Sequence, residues 1–514
     1  MSLLKALQSG SDIRGIAMTT ETHSANLTPA EIQKISCGLV NWLKRDHPRK
    51  YQEGKLTVGV GRDSRISGPT LEKALIDGLI EQGINVLDFE LATTPAMFMA
   101  TQFSQFQCDA SVMLTASHLP FYFNGMKFFT AHGGAEKEDI AFILSETTPN
   151  KTNHKGTVQK ADLLTPYAED LVQKIKNGIR KKGMSDTKPL AGWRIIVDAG
   201  NGSGGFFAEE VLQRLQRLGA DTTGSQFLDP DGHFPNHIPN PDNAEAMASI
   251  KQAVLENQAD LGVIFDTDVD RSAVVSASGQ VINRNNLIAL LSTIVLKEYP
   301  GATIVTNSPT SNHLETFIEE KGGRQDRYIS GYRNVINRAI ACNKEGIDVP
   351  LAIETSGHAA FKENYFLDDG AYVIAKILML LPELKQTEQT LEEIIHDLKQ
   401  PQEVQEIRLR LSGEDPKKQG ATIIQGLANE LNEEGLVFHP ENEEGIRYDL
   451  KEPYGNGWFL LRASLHEPLL VLQIENDEVG KNQHVLQLLA EHLKKYSNVE
   501  PLIVDTKEAK GNEK

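Results

Sequence analysis

The chain is 514 residues long, which allows roughly three to four domains. Its 40% apolar and 24% charged residues describe a globular protein with a sizeable core rather than a disordered or fibrous one. The 52 basic against 70 acidic residues leave a net charge of −18, which argues against a broad nucleic-acid surface, so a bound phosphate needs its own local cluster of basic side chains.

The cysteines Cys37, Cys108 and Cys342 are scattered without CxxC pairs, so neither a zinc ribbon nor a disulfide framework is expected, and a reducing compartment is. The start of the chain, Met1 to Gln8, is too short and interrupted for a signal peptide. No apolar run approaches bilayer length. The expectation is a soluble, cytoplasmic protein without membrane or nucleic-acid partners.

Strand and helix periods alternate over most of the length, as in α/β architecture. Thr28-Pro29-Ala30-Glu31 is a capping box opening a helix towards Lys44. A strand from Leu56 to Val60 leads into Gly61-Arg62-Asp63-Ser64-Arg65. A helix from Pro69 to Gln82 ends at Gly83 and precedes a strand from Val86 to Phe89. Ala110 to Leu114 is an apolar strand running into Thr115-Ala116-Ser117-His118-Leu119-Pro120. A small residue, a serine and a histidine at a strand exit suit a nucleophile turn, although this segment taken alone favours Ser117 as a helix N-cap and His118 as a plain turn residue. Asn124-Gly125 signals a tight turn that returns Lys127 to the same place. This unit is expected to close near Val158.

The pattern restarts with a strand from Trp193 to Val197 entering the glycine-rich Asp198 to Gly205. Such a turn can cradle phosphate, but it lacks the Walker lysine and the dinucleotide spacing, so tight packing is the better reading. The apolar strand Leu261 to Phe265 then meets Asp266-Thr267-Asp268-Val269-Asp270-Arg271-Ser272. Three carboxylates at alternate positions raise one another's pKa unless a cation neutralises them, and oxygen-only ligands suit a hard ion such as Mg²⁺. A serine oxygen beside such an ion can accept a phosphoryl group.

A third unit starts around Val281, with a strand Thr303 to Thr306 and a long helix from Asp369 to Leu381. Glu383 to Gln402 reads as helix and linker. Beyond it, Val404 to Leu411, Trp458 to Arg462 and Leu469 to Ile474 read as strands flanked by two helices, with a turn at Gly455-Asn456-Gly457. The tail Asp505 to Lys514 reads as disordered. Three similar α/β units (1–159, 160–279 and 280–400) therefore precede one α+β unit (401–514).

Taken in order, several motifs resemble those of the α-D-phosphohexomutase superfamily, from about Gly10 to about Leu489. They are Asp12-Ile13-Arg14-Gly15, Val60 to Arg65, Thr115 to His118 with Asn124 to Lys127, and Asp231 to His237. They continue with Asp266 to Arg271, Glu354-Thr355-Ser356-Gly357-His358, Asp368-Asp369-Gly370, and Arg462-Ala463-Ser464 with Glu467-Pro468. The resemblance implies three mixed-sheet α/β domains and a C-terminal α+β domain around a central active-site cleft. It implies a phosphohexomutase interconverting hexose 1-phosphate and hexose 6-phosphate, of the mannose/glucose type, primed by a hexose 1,6-bisphosphate. Ser117 would be the phosphoserine, and Asp266, Asp268 and Asp270 would hold Mg²⁺ with a phosphoserine oxygen. Arg14, His118 and Lys127 would border the reaction centre, with Lys127 and His358 placed for proton transfer. Arg271, Arg333, Glu354, Ser356 and His358 would bind substrate, and Arg462 and Ser464 would take the phosphate remote from the reaction.

The chain departs from the family pattern at three places. Leu119 stands for asparagine, Ile353 for the glycine before the sugar loop, and Leu465-His466 for the residues that usually supply a threonine donor. His466 is expected to substitute as that donor. Competing readings are a haloacid-dehalogenase-like phosphatase with Asp266 as nucleophile, a non-enzymatic sugar-phosphate binder, and a glucose 1,6-bisphosphate synthase or glucosamine-phosphate mutase on the same scaffold. The third aspartate and its following arginine disfavour the first, and the retention of Ser117 with all three aspartates disfavours the second.

Overall fold

The computed structural model describes residues 3–183, 187–213, 218–413, 415–433, 436–439, 442–464 and 467–503. Among these, four sheets follow one another along the chain: three mixed sheets and a last one that is antiparallel throughout. Three α/β units and a C-terminal α+β unit are thus the observed architecture.

In each of the first three sheets, one loop joins a parallel strand to its antiparallel neighbour. In the first sheet, Ala110–Leu114 lies parallel to Thr57–Arg62 and turns back as Phe123–Thr130. In the second, Leu261–Phe265 lies parallel to Ile195–Asp198 and returns as Ser272–Ser276. In the third, Leu351–Ile353 lies parallel to Thr303–Asn307 and returns as Ala359–Phe361. These apolar, fully buried strands need no side-chain alternation, because both faces of their sheets are covered. Most of the site's polar residues lie on the three connecting loops, 115–122, 266–271 and 354–358, with Lys127 on the strand that follows the first. An antiparallel bridge between Arg271 and His358 joins the last two loops directly.

A continuous apolar cluster runs from Phe89 through the second sheet to Leu398 and joins the first three units, each of which also has a cluster of its own. The C-terminal sheet has its own cluster around Leu427, Phe459 and Leu489. The capping box at Thr28 and Glu31 is present and starts the helix Pro29–Asp46.

Several expectations need correction. Asn124-Gly125 is not a turn but the interior of the strand Phe123–Thr130. Gly125 is there for close approach, since a Cβ would stand 2.2 Å from the Ile13 carbonyl oxygen. Lys127, on that strand opposite Met113, still faces the site, where it pairs with Asp270. The long helix is shorter, Gly370–Leu378, with Asp369 as its cap and a second helix at Leu381–Thr387. The C-terminal sheet gains the strand Ile446–Leu450 ahead of the Gly455-Asn456-Gly457 turn. The glycine-rich turn serves packing: Cβ atoms at Gly202 and Gly205 would meet Thr267 and Leu228 carbonyl oxygens at 2.6 and 2.3 Å. The tail Asp505 to Lys514 lies outside the described residues.

Candidate active site

Ser117 sits at 2% exposure with φ 51°, in the left-handed region that non-glycine residues seldom occupy. Three groups hold it there. Its N–H donates to Thr115 Oγ1 at 2.9 Å, whose hydroxyl donates to Asp63 Oδ2 at 2.7 Å. The fully buried Arg65 donates to the carbonyls of Ser117, Leu119, Pro120 and Phe123 at 2.5 to 3.0 Å. Arg65 is itself paired with Asp63 at 3.3 Å and capped by the ring of Phe234 from the second unit. The loop is thus fixed before any ligand arrives.

The Ser117 hydroxyl donates to Asp266 Oδ2 at 2.9 Å and accepts from Arg271 Nη2 at 3.0 Å. Arg271 also bonds His118 Nδ1 at 2.7 Å, Asp266 Oδ2 at 3.1 Å and Asn240 at 3.3 Å. Lys127 pairs with Asp270 Oδ2 and lies 3.4 Å from Asp268 Oδ2. Arg14 donates to the Ala116 carbonyl at 3.1 Å and to Asp12 at 3.1 Å. Tyr332 donates to Asp12 at 2.8 Å and stacks on His358, whose Nδ1 bonds Asp368 at 2.6 Å. The sequence therefore brings together Ser117, His118, Arg14, Lys127, the three aspartates, Arg271 and His358.

Electrostatics follow from burial and pairing. Burial first, then Asp270 and Asp268, push the Asp266 carboxyl well above the usual range. Burial also opposes charge on Asp270, but Lys127, His358 and Arg271 outweigh it and hold that carboxyl below its usual value. Lys127 is driven up by Asp268 and Asp270 against its own burial. His358 is likewise opposed by burial, yet Asp368 and Asp270 raise it to about 9. Arg271, burial and Arg14 depress His118 to about 2, so its imidazole is neutral.

Oxygen atoms of Asp266, Asp268 and Asp270 all lie within 4.8 Å of one another. On Asp268 and Asp270, Oδ2 is taken by protein donors, while each Oδ1 is buried without a hydrogen bond, that of Asp270 lying 3.9 Å from Arg271 and His358. Orphaned carboxylate oxygens converging in a dry loop are what a hard divalent cation needs, so the residues fit such an ion.

The remaining predicted residues lie around this centre. Glu354 accepts from the Gly331 N–H at 2.6 Å, and Ser356 has a buried hydroxyl oxygen without a partner. Arg333 is not gathered with them: it pairs with Glu136 of the first unit and Asn337. Arg462 and Ser464 end the strand Gly457–Ala463 of the last unit, where Arg462 lies 3.8 Å from Glu444. Leu465 and His466 lie outside the described residues. Asp12, Arg65 and Asp368 stand in motifs that carried no assigned role for them, and Thr94, Tyr332 and Glu444 gave no signal at all.

Family comparisons decide the membership. The first, second and third α/β/α domain families of phosphoglucomutase/phosphomannomutase match residues 5–155, 166–279 and 283–401. A phosphomannomutase/phosphoglucomutase of Pseudomonas putida is 32% identical over 437 residues, covering 84% of this chain and 86% of that protein. The chain belongs to the phosphoglucomutase/phosphomannomutase family. A Thermococcus kodakarensis phosphoglucomutase/phosphomannomutase of the same family is 30% identical, covering 93% of this chain and 96% of that protein. A crystal structure of a family protein from Burkholderia thailandensis superposes with a TM-score of 0.76 at 25% identity, covering 97% of this chain and 99% of that one. Among the described residues, no helix is long and apolar enough to cross a membrane.

Proposed function

We propose that the protein interconverts hexose 1-phosphates and hexose 6-phosphates of glucose and mannose, by phosphoryl transfer to and from Ser117. The carrying observation is the Ser117 hydroxyl itself: buried, held at φ 51°, and shared between Asp266 and Arg271. Neither serine strain nor an arginine on the hydroxyl is needed for a binding protein. The relatives' names, which give both sugars, support the substrate class.

In the first half-reaction, the bond between phosphorus and Ser117 Oγ breaks as a sugar hydroxyl oxygen bonds to phosphorus. The hydroxyl gives up one proton and Ser117 takes one, so the step is proton-neutral. The resulting bisphosphate turns over, and its other phosphoryl group returns to Ser117. Arg271, already on the hydroxyl, stays with the transferred oxygens. Lys127 and His358 hold protons near neutrality, so each is suited to donate to an oxygen released from phosphorus. Glu354 and Ser356 offer an acceptor and a free hydroxyl to the sugar, and Arg462 with Ser464 offers a separate anion site. Mg²⁺, held by Asp266, Asp268 and Asp270 with a phosphoserine oxygen, would neutralise charge on the transferred group. A hexose 1,6-bisphosphate would load the serine at the outset.

The test is to incubate the protein with glucose 1,6-bisphosphate and locate phosphate by mass spectrometry, then to follow glucose 1-phosphate conversion by phosphorus NMR. Phosphate on Ser117 and loss of conversion in Ser117→Ala are expected. Full conversion by Ser117→Ala, or phosphate on Asp266, overturns the reading.

A further inference from the structure

We infer that Thr94, a first-unit residue far from the acidic loop in sequence, is a positioning residue for that loop's cation. This rests on the reading that Asp266, Asp268 and Asp270 hold a divalent ion. Thr94 opens the short helix Thr94–Met99 directly after the strand Asn85–Leu91, and it is 3% exposed. It meets Asp268 twice. Its backbone N–H donates to the Asp268 carbonyl at 2.9 Å, and its hydroxyl donates to Asp268 Oδ2.

The consequence lies in which oxygen is left over. With Oδ2 held by Thr94 and approached by Lys127 at 3.4 Å, Asp268 keeps Oδ1 unpartnered and fully buried. Asp270 shows a similar division, with Oδ2 on Lys127 and Oδ1 without a hydrogen bond, Arg271 and His358 lying 3.9 Å from it. Lys127 carries its point charge on a flexible stem between the two carboxylates, without the fixed fork that would select one oxygen. The Thr94 hydroxyl fixes the Asp268 rotamer so that the lysine and the cation are assigned to different oxygens. Without it, the carboxylate plane can rotate part-way and swing the oxygen left for the cation towards Lys127, so that the ammonium competes with the ion. Partners that orient a ligating carboxylate in this way typically change metal affinity by about 10- to 100-fold.

Thr94→Val keeps shape and backbone donor while removing the hydroxyl. Titration calorimetry with Mg²⁺ is expected to show affinity weaker by about 10- to 100-fold in this variant and restored in Thr94→Ser. Turnover is expected to fall at low Mg²⁺ and to recover at saturating Mg²⁺, which a loss of fold cannot imitate. Thr94→Ala removes the same hydroxyl with no new bulk and must behave alike should the valine variant unfold. Unchanged Mg²⁺ affinity in either folded variant overturns the inference. Equal Mg²⁺ affinity in wild type and Asp268→Asn shows instead that the cation reading itself is wrong, and the inference then falls for that separate reason.

Discussion

Arg65 shows how much of this site is built by a residue that faces no ligand. A fully buried guanidinium is costly unless its donors are used, and here the two terminal nitrogens serve four carbonyls of the serine loop while Asp63, 3.3 Å from Nε, balances its charge. Lysine carries the same charge on three rotating donors and cannot reproduce that planar spread. Arg65→Lys is therefore expected to let Ser117 leave φ 51° and lower kcat by about 100-fold, the scale of a roughly 1 Å misplacement. KM for hexose phosphate should change little, because Arg65 reaches backbone rather than substrate. Steady-state kinetics on a variant with a normal melting transition check this, and an unaltered kcat would remove Arg65 from the catalytic argument. Burial of the whole Arg65 side chain was not legible: its motif, Asp63 included, is quoted in the sequence, but the carbonyls that its guanidinium serves lie more than fifty positions away.

The three site loops occupy equivalent places in three sheets, and this explains what the sequence did and did not reveal. Buried parallel strands such as Leu261–Phe265 announce themselves as apolar runs, so the acidic loop at their exit was readable at once. The strands Asp12–Ile16 and Arg324–Tyr328 are polar or edge elements, without a periodic signal. Gly125 misled because glycine marks turns and close strand contacts alike. Contacts between loops, such as the bridge of Arg271 to His358, are set by tertiary packing alone. One loop behind the site offers a pH test. His237 bonds Asp198 at 3.0 Å and precedes Asn240, which supports Arg271. Burial opposes its charge, but Asp198 raises its pKa above the usual value. A histidine raised on folding contributes stability that is fully present below the unfolded pKa and fades as pH climbs through the folded one. The melting temperature of His237→Gln is thus expected to lag wild type most below about pH 6.5 and less at higher pH. A gap that widens with pH would contradict the ion pair.

The whole molecule divides into a part that shares a core and a part that docks by polar contacts. The last unit meets the third through Glu444, which accepts from the Ser308 hydroxyl and from the Ser330 hydroxyl and N–H at 2.7 and 3.1 Å. Beside it, Arg447 donates to the Ser308 and Thr310 carbonyls, both at 2.8 Å, with its guanidinium over Trp458. Hydrogen-bonded docking of this kind resembles a transient interface more than a core, and it suits the proposed reaction, in which the bisphosphate has to turn over. Glu444 also lies 3.8 Å from Arg462, so the docking contact adjoins the residue proposed for the second anion site. Glu444→Ala leaves three donors without their acceptor, at a cost of about 1–3 kcal/mol for a buried donor that water does not reach. Since about 1.4 kcal/mol is tenfold in an equilibrium, KM for hexose phosphate should rise by about tenfold or more. kcat should change less, because Ser117 and the acidic loop sit on the shared core. Small-angle scattering should report a larger radius for the unliganded variant than for wild type. An unchanged KM with an unchanged scattering profile would show that Arg447 and its carbonyl partners close the unit without Glu444.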